Sequence, residues 1–358
     1  MNLFALADDV TGALEVGALL QAPVFLDVVG EADPEYAGRC VIDTETRHLG
    51  AAEAASRILS CIRGRHPELI YKKTDSTLRG NIGAELAALA DTYPARQVIF
   101  LPAYPAMGRT VVQGELLVHG VPVHLSDFGS DPLNPVTKST VASLFHPDVR
   151  VSIVDAATDD EMALAVDAAL QIRPCPILAG PASVARGIAR HLGLHSLPCE
   201  QLRLSPRCLI VNGSLHPVAK EQVRRIRPGG GWVAMNLESA QAARDGAKQK
   251  KNSAGVAVGE SVLRGSPESN AETAVVFARE LAHAVREKLE HEPFETLIVL
   301  GGDSAFALLA ALDARVIHPI GEVVAGVPVS RVGPWQLLTK AGGFGDLDLL
   351  ARLQLAAI

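Results

Sequence analysis

The stretch Leu3-Phe4-Ala5-Leu6-Ala7-Asp8-Asp9-Val10-Thr11-Gly12-Ala13 decides the fold. A short apolar run stops at two adjacent carboxylates, a hydroxyl and a glycine. Such a run reads as a strand that ends in a polar turn and feeds a helix, expected over residues 12–20. The same alternation continues. Strands are expected over 24–29, 40–43, 69–72 and 98–102, with helices over 51–63 and 83–93. Alternating strands and helices predict a parallel sheet covered by helices. In such sheets ligands collect beyond the carboxyl ends of the strands. Asp8-Asp9, Asp43-Thr44-Glu45-Thr46-Arg47, Lys72-Lys73-Thr74-Asp75 and Pro102-Ala103-Tyr104-Pro105 follow four of these strands directly. Their convergence on one rim would make a site.

Residues 108–135 are irregular and rich in Pro and Gly. The alternation resumes with a strand over 151–155, a helix over 159–172 and a strand over 177–180. Residues 191–206 have little period and are expected to link two domains. A second series follows: a strand over 208–212, a helix over 217–225, a polar stretch over 246–272, a helix over 272–289, a strand over 297–300 and a helix over 305–312. No repeat at solenoid spacing interrupts it. The expected architecture is α/β with two domains, 1–198 and 199–358, each a largely parallel sheet flanked by helices.

With 358 residues, the chain is comfortable as two domains. Hydrophobic residues make up 48% and charged residues 20%, which fits a well-buried globular enzyme and excludes a disordered chain. A net charge of −7 argues against nucleic acid or an anionic membrane as partner, while leaving small anionic ligands open. No apolar stretch is long enough to span a bilayer, and early Asp8 and Asp9 do not suit a signal peptide. The five cysteines are scattered without CxxC or Cys/His spacing, so free thiols in a reducing cytoplasm are expected. The histidines, His48, His119, His124 and His216 among them, show no paired spacing and read as surface or satisfied core residues rather than metal ligands.

Asp8 and Asp9 are candidate catalytic carboxylates: one could orient a substrate hydroxyl and accept its proton. The other is expected merely to cap the following helix with Thr11. A haloacid-dehalogenase-type phosphatase needs carboxylates two apart, and these are adjacent. In Tyr71-Lys72-Lys73-Thr74-Asp75-Ser76-Thr77-Leu78-Arg79-Gly80, Arg79 can hold a carboxylate bidentately, and Asp75, Ser76 and Gly80 join it as substrate-binding candidates. The helix that follows adds a favourable dipole for an anion. Of Lys72 and Lys73, one is expected to reach the site and the other to be solvated. Arg109 is a second anion contact, whereas Asp131-Pro132-Leu133-Asn134-Pro135 is readable as a turn. In the C-terminal half, Gly301-Gly302-Asp303-Ser304 lies between a strand and a helix, where bare amides cradle phosphate. Lys340 with Gly342-Gly343-Phe344-Gly345, and Ser214 in Asn212-Gly213-Ser214, are further candidates. None matches GxxxxGK[ST] or GxGxxG. The two halves read as sites for two different ligands.

The chain resembles the four-carbon acid sugar kinase family. The resemblance lies in ADDxTGA at residues 7–13, KKxDSTLRGNxG at 72–83, PAxPxxGRT at 102–110, DPLNPV at 131–136, GGD[ST]A at 301–305 and KxGxFG at 340–345. It runs from about residue 3 to about residue 350. It implies an ATP-dependent kinase, with Mg²⁺ bridging the phosphates, acting on the terminal hydroxyl of threonate, erythronate or a 3-oxo-tetronate. It also implies an N-terminal sugar-acid domain, a C-terminal nucleotide domain and an active site in the cleft between them. On that resemblance Asp8 or Asp9 is the base. Asp75, Ser76, Arg79, Gly80 and Arg109 bind the acid, and Ser214, Gly301, Gly302, Ser304, Lys340, Gly342, Gly343 and Gly345 bind ATP. The sequence departs from the family pattern at Leu14-Glu15, Leu215-His216 and Ala341, and the chain is shorter than most members. The departures at Leu215, His216 and Ala341 motivate an alternative: a sugar-acid-binding sensor with a degenerate nucleotide site. A phosphate-dependent lyase or dehydrogenase is a weaker one. A homodimer is expected from the frequency of such assemblies alone.

Overall fold

The computed structural model describes residues 2–26, 38–131, 134–194, 204–226, 231–236 and 271–356. The chain divides into two compact units, Met1–Ser196 and Leu197–Ile358. The boundary expected at 198/199 and most of the polar stretch 246–272 lie outside the described residues, as does the end of the strand expected over 24–29.

In the first unit the strands are β1 (Leu3–Ala7), β2 (Val24–Leu26), β3 (Arg39–Asp43), β4 (Leu69–Lys73) and β5 (Val98–Phe100). Then come β6 (Arg109–Val112), β7 (Glu115–Val118) and β8 (Val121–Pro122), which form a small antiparallel sheet, and β9 (Val151–Ile153) and β10 (Ile177–Gly180). The main sheet is wholly parallel, in the order β2-β3-β1-β4-β10-β5-β9. Its helices are α1 (Val10–Leu20), α2 (Ala51–Ile62), α3 (Ile82–Thr92), α4 (Asp159–Gln171) and α5 (Ala182–His191). All five residues of β1 are buried, so the strand reads as a continuous apolar run rather than an alternation. In α2 the buried positions Ala54, Ile58, Cys61 and Ile62 form one stripe of helical period. A capping box between Thr158 and Glu161 starts α4. Helix α5 covers residues to which the sequence reading assigned no element.

Topology then sets the site. From β1 at the centre the chain goes to β2 and β3 on one side and crosses to β4 on the other. Ala7 is level with Asp43 of β3 and with Lys73 of β4. The segments after these three strands therefore leave the sheet at one height, around the switch point where ligands bind in open α/β sheets.

The second unit contains β11 (Cys208–Asn212), β12 (Trp232–Met235), β13 (Thr296–Leu300), β14 (Val316–Val324), β15 (Val327–Val332) and β16 (Trp335–Lys340). Its helices are α6 (Pro217–Arg224), α7 (Ala271–His291), α8 (Gly302–Ala311) and α9 (Leu349–Ala356). Strands β12, β11, β13 and β16 are parallel, in that order, and β15 and β14 extend them antiparallel. The antiparallel part went unread in the sequence: Pro319 and Gly321 break the strand pattern, and the β14–β15 register shifts there. Ile210, Ile298, Leu300, Val329 and Leu338 face Leu349, Leu350 and Leu353 across one core. Asn212, Leu300 and Lys340 are level, so the turns after β11, β13 and β16 share a rim. No helix among the described residues is long and apolar enough to cross a membrane.

Candidate functional site

The N-terminal rim is organised around Arg47, a residue to which the sequence reading assigned no role. Its Nε donates to Asp8 Oδ2 at 2.8 Å, and Nη1 and Nη2 reach Asp9 Oδ2 and Oδ1 at 2.9 and 2.8 Å. Asp75 Oδ1 lies 3.8 Å from Nη2. The guanidinium thus joins the segments after β1, β3 and β4. The signal for it was the placement of 43–47 at a strand end.

The two adjacent carboxylates divide their work. Asp9 is the N-cap of α1: its Oδ1 accepts from the Gly12 N–H at 3.1 Å and its Oδ2 from the Thr11 hydroxyl. Burial pushes its carboxyl up, but Arg47 and Lys73 outweigh that and bring it down to about 2. A Cβ on Gly12 would stand 2.5 Å from Lys73 Nζ, so only glycine lets that ammonium approach the helix start. Asp8 has one oxygen on Arg47, while Oδ1 is buried with no hydrogen-bond partner.

Asp75 is the anchor of the loop after β4. Its carboxylate accepts from the Thr77 N–H at 2.9 Å, from the Thr77 hydroxyl, and from Arg79 Nε and Nη2 at 3.1 and 2.8 Å. Burial alone would raise its carboxyl; Arg79 and Arg47 hold it well below the usual range. Arg79 also donates from Nη1 to Asp131 at 3.1 Å and lies over the Phe128 ring, 5.2 Å from its centroid. Three of its five N–H groups are therefore committed to carboxylates. Arg109 sits over the same ring at 5.9 Å, so both predicted anion contacts face Phe128. Asp131, read only as part of a turn, is also a partner of Arg79. Ser76 is buried, and Gly80, at φ 86°, packs on the Arg47 stem.

The expectation for Lys72 and Lys73 needs correction: neither is solvated. Lys72 is fully buried, 3.2 Å from Glu85, whose other oxygen accepts from Thr46. It is a structural ion pair. Lys73 is 5% exposed. Strand β4 has neighbours on both sides in a helix-covered sheet, so neither of its last two side chains reaches solvent.

Asp43 and Glu45 add a second feature beside the arginine. The Glu45 N–H donates to Asp43 Oδ1 at 3.3 Å, Asp43 Oδ2 is buried without a hydrogen-bond partner, and Glu45 Oε1 accepts the Val10 N–H at 2.9 Å. Burial, with the charges of Asp9 and Asp8, pushes Asp43 up to about 8, and burial with Asp43 and Asp9 pushes Glu45 well up. Glu15, at a departure from the family pattern, is buried and accepts from the Tyr104 hydroxyl at 2.7 Å.

In the second unit the predicted glycine turns meet. A Cβ on Gly213 would stand 1.7 Å from Ser304 Oγ, and one on Gly342 would stand 2.1 Å from Ser214 Oγ. A Cβ on Gly343 would lie 3.0 Å from His216 Nε2. Gly301 has φ 111° and lies against Ser214, and Gly302 opens α8. His216 caps α6, its Nδ1 accepting the Val218 N–H at 3.2 Å. Lys340, expected to offer charge to a ligand, is 1% exposed and donates instead to three carbonyls of its own loop: Ala341, Gly342 and Phe344, at 2.9, 3.0 and 2.9 Å. The bare glycine surfaces and close backbone approach suit a phosphate chain. Among the described residues no group of three or more His, Cys, Asp and Glu is arranged to hold a metal ion.

The two halves of the chain have counterparts in known proteins. Residues 3–150 match a sugar-binding N-terminal domain and residues 209–350 a nucleotide-binding C-terminal domain. The chain is 30% identical to a D-threonate kinase of Bordetella bronchiseptica, over 97% of this chain and 95% of the relative. It is 28% identical to a D-threonate kinase of Salmonella typhimurium (97% and 96%) and 26% identical to a 3-oxo-tetronate kinase of that organism (99% of each). A solved structure from Salmonella typhimurium LT2 shares the fold with a TM-score of 0.73 at 22% identity, covering 98% of each chain. One from Haemophilus influenzae does so at 0.65 and 18%, covering 99% of this chain and all of that one. The protein belongs to the four-carbon acid sugar kinase family.

Proposed function

We propose that the protein transfers the γ-phosphoryl group of ATP to the terminal hydroxyl of a four-carbon sugar acid of the threonate, erythronate or 3-oxo-tetronate type. The observation that carries this reading is the unequal state of Asp8 and Asp9. Asp9 is consumed by the helix cap and Arg47. Asp8 keeps one buried oxygen without a partner, which suits a group that orients a hydroxyl and takes its proton. Asp8 is therefore assigned as the base and Asp9 as its support.

Arg79 and Arg109, with Ser76 and the Gly80 backbone, would hold the acid group. A substrate carboxylate would replace Asp131 on Arg79 Nη1 or add to the remaining N–H groups. The second unit would hold the nucleotide through the backbone of Gly301, Gly302, Gly342, Gly343 and Gly345 and the hydroxyls of Ser214 and Ser304. Mg²⁺ arriving with the phosphates would neutralise their charge, and the side chains here would position and orient the reactants. The close-packed glycines around Ser214 and Ser304 favour a kinase over a sensor with a degenerate nucleotide site.

Asp8→Asn and Asp9→Asn test the assignment. Asp8→Asn should lower kcat about 100-fold or more with sugar-acid KM nearly unchanged. Asp9→Asn should cost stability first. Equal kcat for Asp8→Asn and the wild type would remove Asp8 as the base.

A further inference from the structure

A lysine beside a glycine loop invites the reading that its ammonium binds phosphate. The geometry of Lys340 is different. Its Nζ has three N–H donors, and three loop carbonyls, of Ala341, Gly342 and Phe344, accept them. Gln222, fully buried on α6, reinforces the same loop: its Nε2 donates to Phe344 O at 3.1 Å and to Asp346 O at 2.7 Å. Two side chains from different elements thus pull four carbonyls of one six-residue loop inward.

The consequence follows from peptide geometry. The peptides of this loop are trans, so each N–H points opposite to the preceding carbonyl. With the carbonyls of Ala341, Gly342 and Phe344 drawn towards Nζ, the amides of Gly342, Gly343 and Gly345 point away from it. Among the described residues none of these three amides donates a hydrogen bond. Successive outward N–H groups form an anion-binding concavity. Behind it stands a buried positive charge whose field is poorly screened.

We propose that Lys340 and Gln222 are positioning residues that shape the 341–346 loop from beneath, turning the amides of Gly342, Gly343 and Gly345 outward to the nucleotide phosphates without touching the nucleotide themselves. This rests on the nucleotide reading above and assigns the source of phosphate affinity within that site. Burial brings the Lys340 ammonium down to about 7, and its three acceptors match the charged form, since a neutral amine has only two N–H donors.

The test compares wild type, Lys340→Met and Gln222→Met by calorimetry with ADP plus Mg²⁺ and with adenosine, and by hydrogen exchange of residues 341–346. ADP should weaken about tenfold or more in Lys340→Met and about fivefold in Gln222→Met, while adenosine affinity and the KM for D-threonate stay within about twofold. Exchange should rise at the Phe344 amide, which donates to Ala341 O across the loop, in both variants. ADP binding as tight as in wild type, or equal weakening of ADP and adenosine, overturns the proposal. If wild type binds no ADP, the nucleotide reading fails by itself, and exchange still decides the clamp: unchanged exchange in Lys340→Met refutes it. Should Lys340→Met not fold, Gln222→Met carries the same measurements.

Discussion

Replacing Arg47 with methionine is the sharpest perturbation of the sugar-acid rim. The side chain keeps its volume along the stem, but the charge that joins Asp8, Asp9 and Asp75 is gone. Arg47 is 12% exposed, and its partners Asp8 and Asp9 are 2% and 12% exposed at the side chain, so water cannot replace it readily. Breaking a buried pair by removing one partner costs about 3–5 kcal/mol, because the other charge stays buried. The loss should depend on pH. In the wild type Asp9 sits near 2, below its ordinary 3.8, so it contributes stability above 3.8 that is lost as pH falls through about 2. Without Arg47, burial is the largest influence on that carboxyl and raises it. The variant can then relieve the cost by taking up a proton, which acidic pH favours. Urea unfolding followed by circular dichroism should give a penalty of about 3–5 kcal/mol at pH 8 that shrinks towards pH 5. A penalty below about 1 kcal/mol, or one equal at both pH values, would refute the claim that Arg47 neutralises a buried carboxylate cluster.

Three further outcomes are expected. Asp43→Asn removes a carboxyl raised to about 8; such a group favours the folded state below about pH 4 and withdraws that contribution as pH rises to about 8. Asp43→Asn should therefore gain stability relative to wild type between pH 5 and 8, and a relative loss over that range contradicts the raised Asp43 carboxyl. Gly213→Ala places a methyl 1.7 Å from Ser304 Oγ; it should destabilise by about 1–3 kcal/mol, with partial rescue by Ser304→Gly in a double-mutant cycle, and strict additivity would show that the contact is not the cause. Arg79→Ala should weaken sugar-acid binding by about 1.5–3 kcal/mol in calorimetry while ADP affinity holds, and unchanged acid affinity would reassign that loop.

The parallel sheet was legible because residues 3–13 announce it: an apolar run buried on both faces, two carboxylates, and a helix start. The strand ends at Asp8, Asp43 and Asp75 were legible as one rim from strand–helix alternation alone. Partner choice within the rim was not. Asp8 and Asp9 look equivalent in a row of letters, and only the helix start makes Asp9 the cap. Arg47 is marked in the sequence only by lying in a strand-end segment, and its partners are not, since they come from three strands ending at one level. Lys72 and Lys73 misled because adjacent lysines suggest a solvated face, whereas a strand flanked on both sides by neighbours and covered by helices buries both. For Lys340 the row of letters shows a charge beside glycines but not its partners: its donors fold back onto three carbonyls among the next four residues. The antiparallel β14–β15 pair was hidden by Pro319 and Gly321, which interrupt the period without ending the strand.

The most direct measurement is consumption of ATP with Mg²⁺ by the purified protein against D- and L-threonate, erythronate, 3-oxo-tetronates and longer sugar acids, with mass spectrometry of each product. The account predicts one four-carbon acid converted to its terminal phosphate, with ADP formed in equal amount. Tight binding of a sugar acid with no ATP binding and no phosphorylated product would contradict it and return the protein to the role of a sensor.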